Sequence, residues 1–195
     1  TSIIDGQPVT VPGGLTVTGS LDNAEGKEIN VTNGNLTFGS KDEVNNMNNA
    51  GDITITGGSL NIVGSSQDKV TVGGLAKDYI KVDVPENYDV VLQPEMNGSS
   101  TVTNTGSIVA DSLVINHEYK GFGVGEKNLS SFVNSGESSS AQFGSVDLTA
   151  GKIENEGTIT VTGETNLKTG AGTSFDLDLD FGLVNLGKHS VTLGG

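Results

Sequence analysis

The stretch Asn49-Ala50-Gly51-Asp52-Ile53-Thr54-Ile55-Thr56-Gly57-Gly58-Ser59-Leu60-Asn61-Ile62 decides how this chain is read. From Asp52 to Thr56 polar and apolar residues alternate. That places Ile53 and Ile55 on one face of an extended strand and Thr54 and Thr56 on the other. Asn49 stands two residues before Gly51, and both residue types tolerate left-handed backbone, so the pair reads as a sharp corner. Gly57-Gly58 reads as a turn, and a second strand opens at Leu60.

The same unit recurs. Asn104-Thr105-Gly106-Ser107-Ile108 leads to a strand and then to Leu113, and Asn155-Glu156-Gly157-Thr158-Ile159 leads to a strand and then to Leu167. Weaker copies stand at Asn134-Ser135-Gly136 and Thr32-Asn33-Gly34-Asn35-Leu36. The spacing is irregular, as expected of repeats carrying insertions. One unit cannot bury its own apolar face, whereas stacked units bury it continuously. The sequence therefore predicts an all-β chain, a β-solenoid (parallel β-helix). About 20 residues per coil would give roughly nine coils and a rod of about 40–45 Å. Strands spaced 8–12 residues apart also suit an antiparallel β-sandwich or jelly roll, which stands as the alternative.

Composition agrees. Gly, Thr, Ser and Asn number 29, 20, 19 and 18, together 44% of 195 residues, and Val and Ile number 32 against 7 Ala. That mixture disfavours helices. It resembles disordered chains as well, but the apolar residues fall in alternating runs separated by Gly-Gly, Asn-Gly and Asn-Asn clusters that read as turns. The chain has no Cys, which excludes disulfides, thiolate metal sites and a Cys nucleophile. A net charge of −14 with no Arg excludes nucleic acid as the expected partner, because phosphate contacts dominate that affinity. No run approaches 18 apolar residues, so no membrane span is expected. An opening at Thr1-Ser2-Ile3-Ile4-Asp5 without Met fits a mature exported protein, secreted or attached to a cell surface.

Asn-x-Gly-x-Ile-Thr followed by Gly-x-x-Leu resembles the coils of bacterial autotransporter passengers and filamentous-haemagglutinin-like exoproteins. The matched segments cover about a third of the chain. The resemblance implies a parallel β-helix at the cell surface and a role in adhesion.

Two stretches break the repeat within a single domain over 1–195. Residues 77–96 hold two of the three Tyr and two of the four Pro, and residues 116–143 hold the third Tyr with Phe122, Phe132 and Phe143. Both read as insertions packed on the flank, and loops of this kind are also where binding residues concentrate.

Candidate chemistry is sparse. In Phe175-Asp176-Leu177-Asp178-Leu179-Asp180-Phe181, alternation puts three carboxylates on one strand face. They read as a solvated face, with Ca²⁺ the cation such a ladder would take and a Lys-bearing surface on another copy as a second way to meet it. The spacing is not that of an EF-hand loop. His117 and His189 are isolated from other ligand-type residues. There is no nucleophile elbow or phosphate loop, and Glu154 and Glu156 flank the corner Asn155 on the solvent side. The Thr-x-Thr pairs at 16, 54, 101 and 158 are too far apart in sequence for an ice-binding array and read as exposed strand positions. Acceptor sequons stand at Asn30, Asn35, Asn97 and Asn128.

No enzymatic constellation and no required cofactor is expected. The leading expectation is an extracellular structural protein, a subunit of a fibre, sheath or adhesin that assembles with copies of itself head-to-tail through terminal strands. Ile3-Ile4 and Val191-Thr192-Leu193 are the apolar termini that would pair. A monomeric adhesin that binds cell-surface glycans is the alternative, and a polysaccharide-acting enzyme the third reading.

Overall fold

The structure, a computed structural model, describes residues 9–72, 75–77, 90–120, 129–163, 165–167, 175–179 and 183–186. These residues form strands and no helix. In chain order the strands are β1 (Val9–Pro12), β2 (Leu15–Val17), β3 (Ser20–Asn23), β4 (Glu28–Thr32), β5 (Leu36–Phe38) and β6 (Asn45–Asn49). Next come β7 (Asp52–Thr56), β8 (Ser59–Val72), β9 (Leu75–Lys77), β10 (Val90–Gly98), β11 (Ser100–Asn104) and β12 (Ser107–Lys120). The last are β13 (Ser131–Asn134), β14 (Ser140–Asn155), β15 (Thr158–Val161), β16 (Thr165–Leu167), β17 (Phe175–Leu179) and β18 (Leu183–Leu186).

Pairing skips along the chain. A first parallel ladder runs β1–β4–β7–β12–β14–β15–β18. A second runs β2–β5–β8–β12–β14–β16. A third runs β3–β6–β11–β13–β14–β17. Parallel neighbours need a crossover between them; here the crossover is made by the strands of the other two ladders. β12 serves two ladders and β14 serves all three, because each bends round its corners without losing strand pairing.

Register places like on like. Ile29, Ile53 and Ile108 are neighbours in the first ladder, and Leu15, Leu36, Leu60 and Leu113 in the second. Alternation then sends one row inward and the next outward, as in the buried–exposed pattern of β6 and β11. The inward rows meet in one core that includes Phe38, Phe132, Phe143, Met47, Ile62 and Ile115. Phe132 and Phe143 touch edge to face, with ring centroids 5.6 Å apart at 79°. Burying each such side chain contributes about 1.5–3 kcal/mol.

Antiparallel pairing is confined, among the described residues, to β8 with β9 and β10. The ladders are therefore not those of the antiparallel sandwich or jelly roll. The longest ladder has seven strands among the described residues, spanning about 29 Å at strand spacing. Within 116–143, Ser131–Asn134 and residues 140–143 pair inside the third and first ladders, and Asn116–Lys120 pair with Val63–Gln67 of β8.

One turn reading is overturned. Asn45-Asn46-Met47-Asn48-Asn49, an Asn cluster of the kind expected to turn, is a strand with Met47 in the core. Pairing on both edges overrides its poor intrinsic preference. The corner glycines also act differently from expectation. Gly51, Gly106 and Gly157 are not among the glycines at positive φ. They are needed because backbone passes close by. A Cβ on Gly106 would lie 2.7 Å from both the carbonyl carbon and the carbonyl oxygen of Ala50. Gly136, in contrast, has a φ of 89° and open space around it.

Gly106→Ala is therefore expected to destabilise the fold by about 3 kcal/mol, since rigid backbone blocks the added methyl. Gly136→Asn should stay within about 1 kcal/mol, because Asn tolerates left-handed backbone. Urea unfolding of the two variants checks the contrast, and equal losses would contradict it.

Candidate functional site

The most ordered chemistry in the molecule is a column of buried amides at the corner between the third and first ladders. Asn23, Asn49, Asn104, Asn134 and Asn155 occupy the last inward position of successive strands in the third ladder. All five are buried. Asn23 Nδ2 donates to Asn49 Oδ1 at 2.8 Å, Asn49 Nδ2 to Asn104 Oδ1 at 2.9 Å, Asn104 Nδ2 to Asn134 Oδ1 at 2.8 Å and Asn134 Nδ2 to Asn155 Oδ1 at 2.9 Å. Every bond points the same way, so the amide dipoles add and each bond polarises the next.

Each Nδ2 has a second proton, and the backbone takes it. Asn49 donates to the carbonyls of Gly51 (3.1 Å) and Ser107 (3.0 Å), and Asn104 to those of Gly106 (3.3 Å) and Ser140 (2.9 Å). Asn134 reaches the Thr158 carbonyl at 3.2 Å. The amides thus bond the corner after their own strand and, beyond it, the first-ladder strand one further along: β12 for Asn49, β14 for Asn104 and β15 for Asn134. This explains the recurring Asn-x-Gly: the amide bonds the Gly carbonyl two residues on, and the missing Cβ lets the next corner approach. In the third ladder Leu179 follows Asn155, so the amide pattern stops there.

Sequence reading found Asn49, Asn104, Asn134 and Asn155, but attributed them to left-handed corners. Among the described residues the one non-Gly residue at positive φ is Asn33, at 53°, which belongs to a different corner and is not in the column. Asn23 escaped notice because two residues, not one, separate Asn23 from Gly26. Its signal was the preceding Leu21, which repeats the inward pair Met47/Asn49 and Val102/Asn104.

A second buried polar chain lies at the entrance to the third ladder. Asn45 Oδ1 accepts from the Gly19 N–H at 2.6 Å, and Asn45 Nδ2 donates to Ser100 Oγ at 3.2 Å. Ser100 N–H donates to Ser130 Oγ at 3.0 Å, and Ser100 Oγ donates to the Val63 carbonyl at 2.6 Å. Ser130 meets His117, with Oγ 2.8 Å and the backbone N–H 3.1 Å from Nδ1. His117 Nε2 lies 2.7 Å from Ser66 Oγ.

The tautomer follows from these partners. A backbone N–H can only donate, so Nδ1 accepts from Ser130 and the ring proton sits on Nε2, which donates to Ser66 Oγ. The ring therefore offers Ser66 no lone pair and does not act as its base. At 1% exposure for His117 and 3% for Ser66, solvent and substrate do not reach the pair. Burial lowers the His117 pKa from 6.5 to about 4, and the carboxylate of Glu118 opposes that shift.

The remaining candidates are dispersed. Register sets Asp176 beside Lys152 and Asp178 beside Glu154 in the third ladder. Asp180 and His189 lie outside the described residues, as do Asn128 and the terminal segments at Ile3-Ile4 and 191–193. Glu154 is paired with Lys152, and Ser135 Oγ lies 3.5 Å from Glu156. No group of three or more metal-type ligands occurs among the described residues. Thr54 and Thr160 do stand in one outward row, but Val109 and Gln142 occupy the positions between them. Of the sequons, Asn30 stands in that same row, and Asn35 lies at an exposed corner where its Oδ1 accepts from the Ser59 N–H at 2.9 Å. Asn97 lies in β10. No helix of the described residues is long and apolar enough to cross a membrane.

No family model matches the chain, and neither a curated protein nor a solved structure is found to be similar to it.

Asn104→Ala leaves Asn49 Nδ2 without its acceptor and Asn134 Oδ1 without its donor, so a loss of about 3 kcal/mol is expected. Asn104→Asp should be worse at neutral pH, since a carboxylate oxygen would then face the Asn134, Gly106 and Ser140 oxygens. Its deficit should shrink as pH falls and the acid protonates. Exposed Asn48→Ala should cost no more than about 0.5 kcal/mol. Thermal denaturation across pH checks all three.

Proposed function

We propose that this protein is an extracellular structural protein: a β-solenoid whose three faces are the three ladders, and a self-assembling subunit of a cell-surface fibre, sheath or adhesin. The observation that carries the reading is the skipping pattern of parallel pairs. A chain that pairs each strand with one a full turn later winds about a single axis, and repeats of this kind extend along it. The resemblance of Asn-x-Gly-x-Ile-Thr to autotransporter passengers and haemagglutinin-like exoproteins supports the same setting. So does the outward row Asn30, Thr54, Val109, Gln142 and Thr160, which is mostly polar and uncharged.

Assembly is supported by the ends. β1, β2 and β3 each have one pairing partner among the described residues, and so do β16, β17 and β18. The core is also half-open at one of these ends. Val9, Val11 and Leu15 are half-buried, whereas Ile29, Val31 and Leu36, their neighbours in register, have no exposed surface. Parallel edges that carry no partner among the described residues, over a half-open apolar interior, are templates for another copy. The runner-up, a monomeric glycan-binding adhesin, draws on β8 and β10, whose antiparallel pairing leaves the ladders and offers a separate surface.

Sedimentation velocity and negative-stain microscopy over a range of concentrations test the reading. Head-to-tail oligomers that lengthen with concentration are expected, and Val11→Lys should abolish them without unfolding the protein. A monomer at every concentration, unchanged by that substitution, would favour the adhesin.

A further inference from the structure

His117 is the one titratable side chain in either buried polar chain, and it sits at a structural junction. β12 belongs to the second ladder up to Ile115; beyond it, Asn116–Lys120 pair with Val63–Gln67 of β8. From Ser65 onward the other edge of β8 takes β10 in antiparallel register. This extension leaves the ladders where His117 lies. One nitrogen of the ring bonds Ser66, in the extension. The other bonds Ser130, which leads directly into β13 of the third ladder. Backbone closes tightly around the ring: a Cβ on Gly64 would overlap Ser130 Oγ and the Gly98 carbonyl and come within 3.2 Å of Nδ1.

We propose that His117 is an acid-operated clasp, whose protonation frees the β8–β10 extension from the ladders while the ladders themselves stay folded.

The geometry supplies the reason. Protonation adds a hydrogen to Nδ1, which the Ser130 backbone N–H already faces as a donor and cannot turn away from. Ser130 Oγ keeps a second lone pair beside the bond it accepts from the Ser100 N–H, so it meets the new proton only by turning its own hydroxyl away. The imidazolium therefore loses the bond from the Ser130 backbone and becomes a buried charge. The neighbouring segments offer little compensation. Gly64, Ser65, Ser66 and Gln67 from β8, Gly98 to Ser100, and Ser130 and Ser131 carry no charge, and Tyr119 presents a neutral phenol. Glu118, on the same strand, is the acid that attracts the proton, and it is bonded to Lys41 at 3.1 Å. Asp42 and Glu43 follow Lys41 in the segment whose backbone abuts Gly98.

The sign follows from linkage. With the extension released, the ring returns to an ordinary pKa near 6.5; docked, it is held at about 4. The released form binds the extra proton, so acid favours release. The shift is roughly tenfold per pH unit below 6.5, and roughly two orders of magnitude by pH 4. The Asn column contains no titratable group and does not respond.

The chain carries its own probe. It has no Trp, and its three tyrosines, Tyr79, Tyr88 and Tyr119, all fall between β9 and the end of β12 in sequence. Tyr119, buried inside the extension, therefore gives the tyrosine band of the near-UV circular dichroism a reporter there, and far-UV circular dichroism reports the ladders. Between pH 7 and 3.5 the tyrosine signal should be lost reversibly while the strand signal persists, and His117→Gln should remove that transition. The same midpoint in His117→Gln, or simultaneous loss of both signals, would overturn the proposal. Should that variant not fold, ring 1H–15N spectra of the unaltered protein decide. An Nε2–H tautomer that protonates together with the tyrosine change is expected; a ring titrating near pH 6.5 refutes the clasp.

Discussion

In a parallel ladder, a slip of one residue turns every inward side chain to solvent and every outward one to the core. Backbone hydrogen bonds alone resist such a slip weakly, because they re-form one residue along. The column from Asn23 to Asn155 does not allow this. Each amide needs an amide above or below and a corner carbonyl beside it, and a slipped strand would bury Asp22, Asn48 or Glu154 in their place. The apolar rows need volume of about the right size, which Ile, Leu, Val and Phe supply interchangeably. The amide column needs one residue type at one position per strand.

That constraint explains features that otherwise look unrelated. The third ladder tolerates poor strand formers such as Asn45–Asn49 because its outermost inward position is secured by side-chain bonds. The corners after Asn49, Asn104 and Asn155 are stripped of a Cβ so that stacked backbones can close on the carbonyls the amides bind. The second polar chain, through Asn45, Ser100 and Ser130, satisfies the backbone at the opposite end of the same strands. Buried polar groups left unpaired would be destabilising; two satisfied chains at two corners let a core of modest apolar content hold long ladders. His117 differs from the rest in being able to change charge.

The exterior follows from the interior. Once inward rows are apolar and corners are committed to amide and glycine, variation is left to outward positions, and these are mostly Thr, Asn, Ser, Asp and Glu. Acidic side chains account for the net charge of −14, and their spread along three ladders keeps them solvated. The departure of β8 and β10 is the main irregularity. It gives an otherwise repetitive surface one place with its own shape, and among the polar contacts that hold it there are those of a buried imidazole and the bond from Ser65 Oγ to the Lys41 carbonyl.

Alternation at Ile53/Ile55 and Ile159/Val161, with β-branched residues and glycine punctuation, determined strand identity and inward faces, because side-chain direction in a strand depends only on position. Parallel stacking was legible from the repetition of Asn-x-Gly-x-Ile in one orientation. The purpose of that motif was not. Asn and Gly look like turn residues locally, and only the neighbouring strands, 21 to 55 residues away, reveal the amide bonds and the close backbone contacts. The same holds for His117, which stands isolated in sequence because its partners Ser66 and Ser130 lie 51 and 13 residues distant. Composition and period settled by themselves that this chain is built of stacked β-strands with an apolar inner face. Which polar residues are buried, and what each one bonds, was decided by tertiary structure, since a hydrogen-bond partner supplied by another strand leaves no mark in the local sequence.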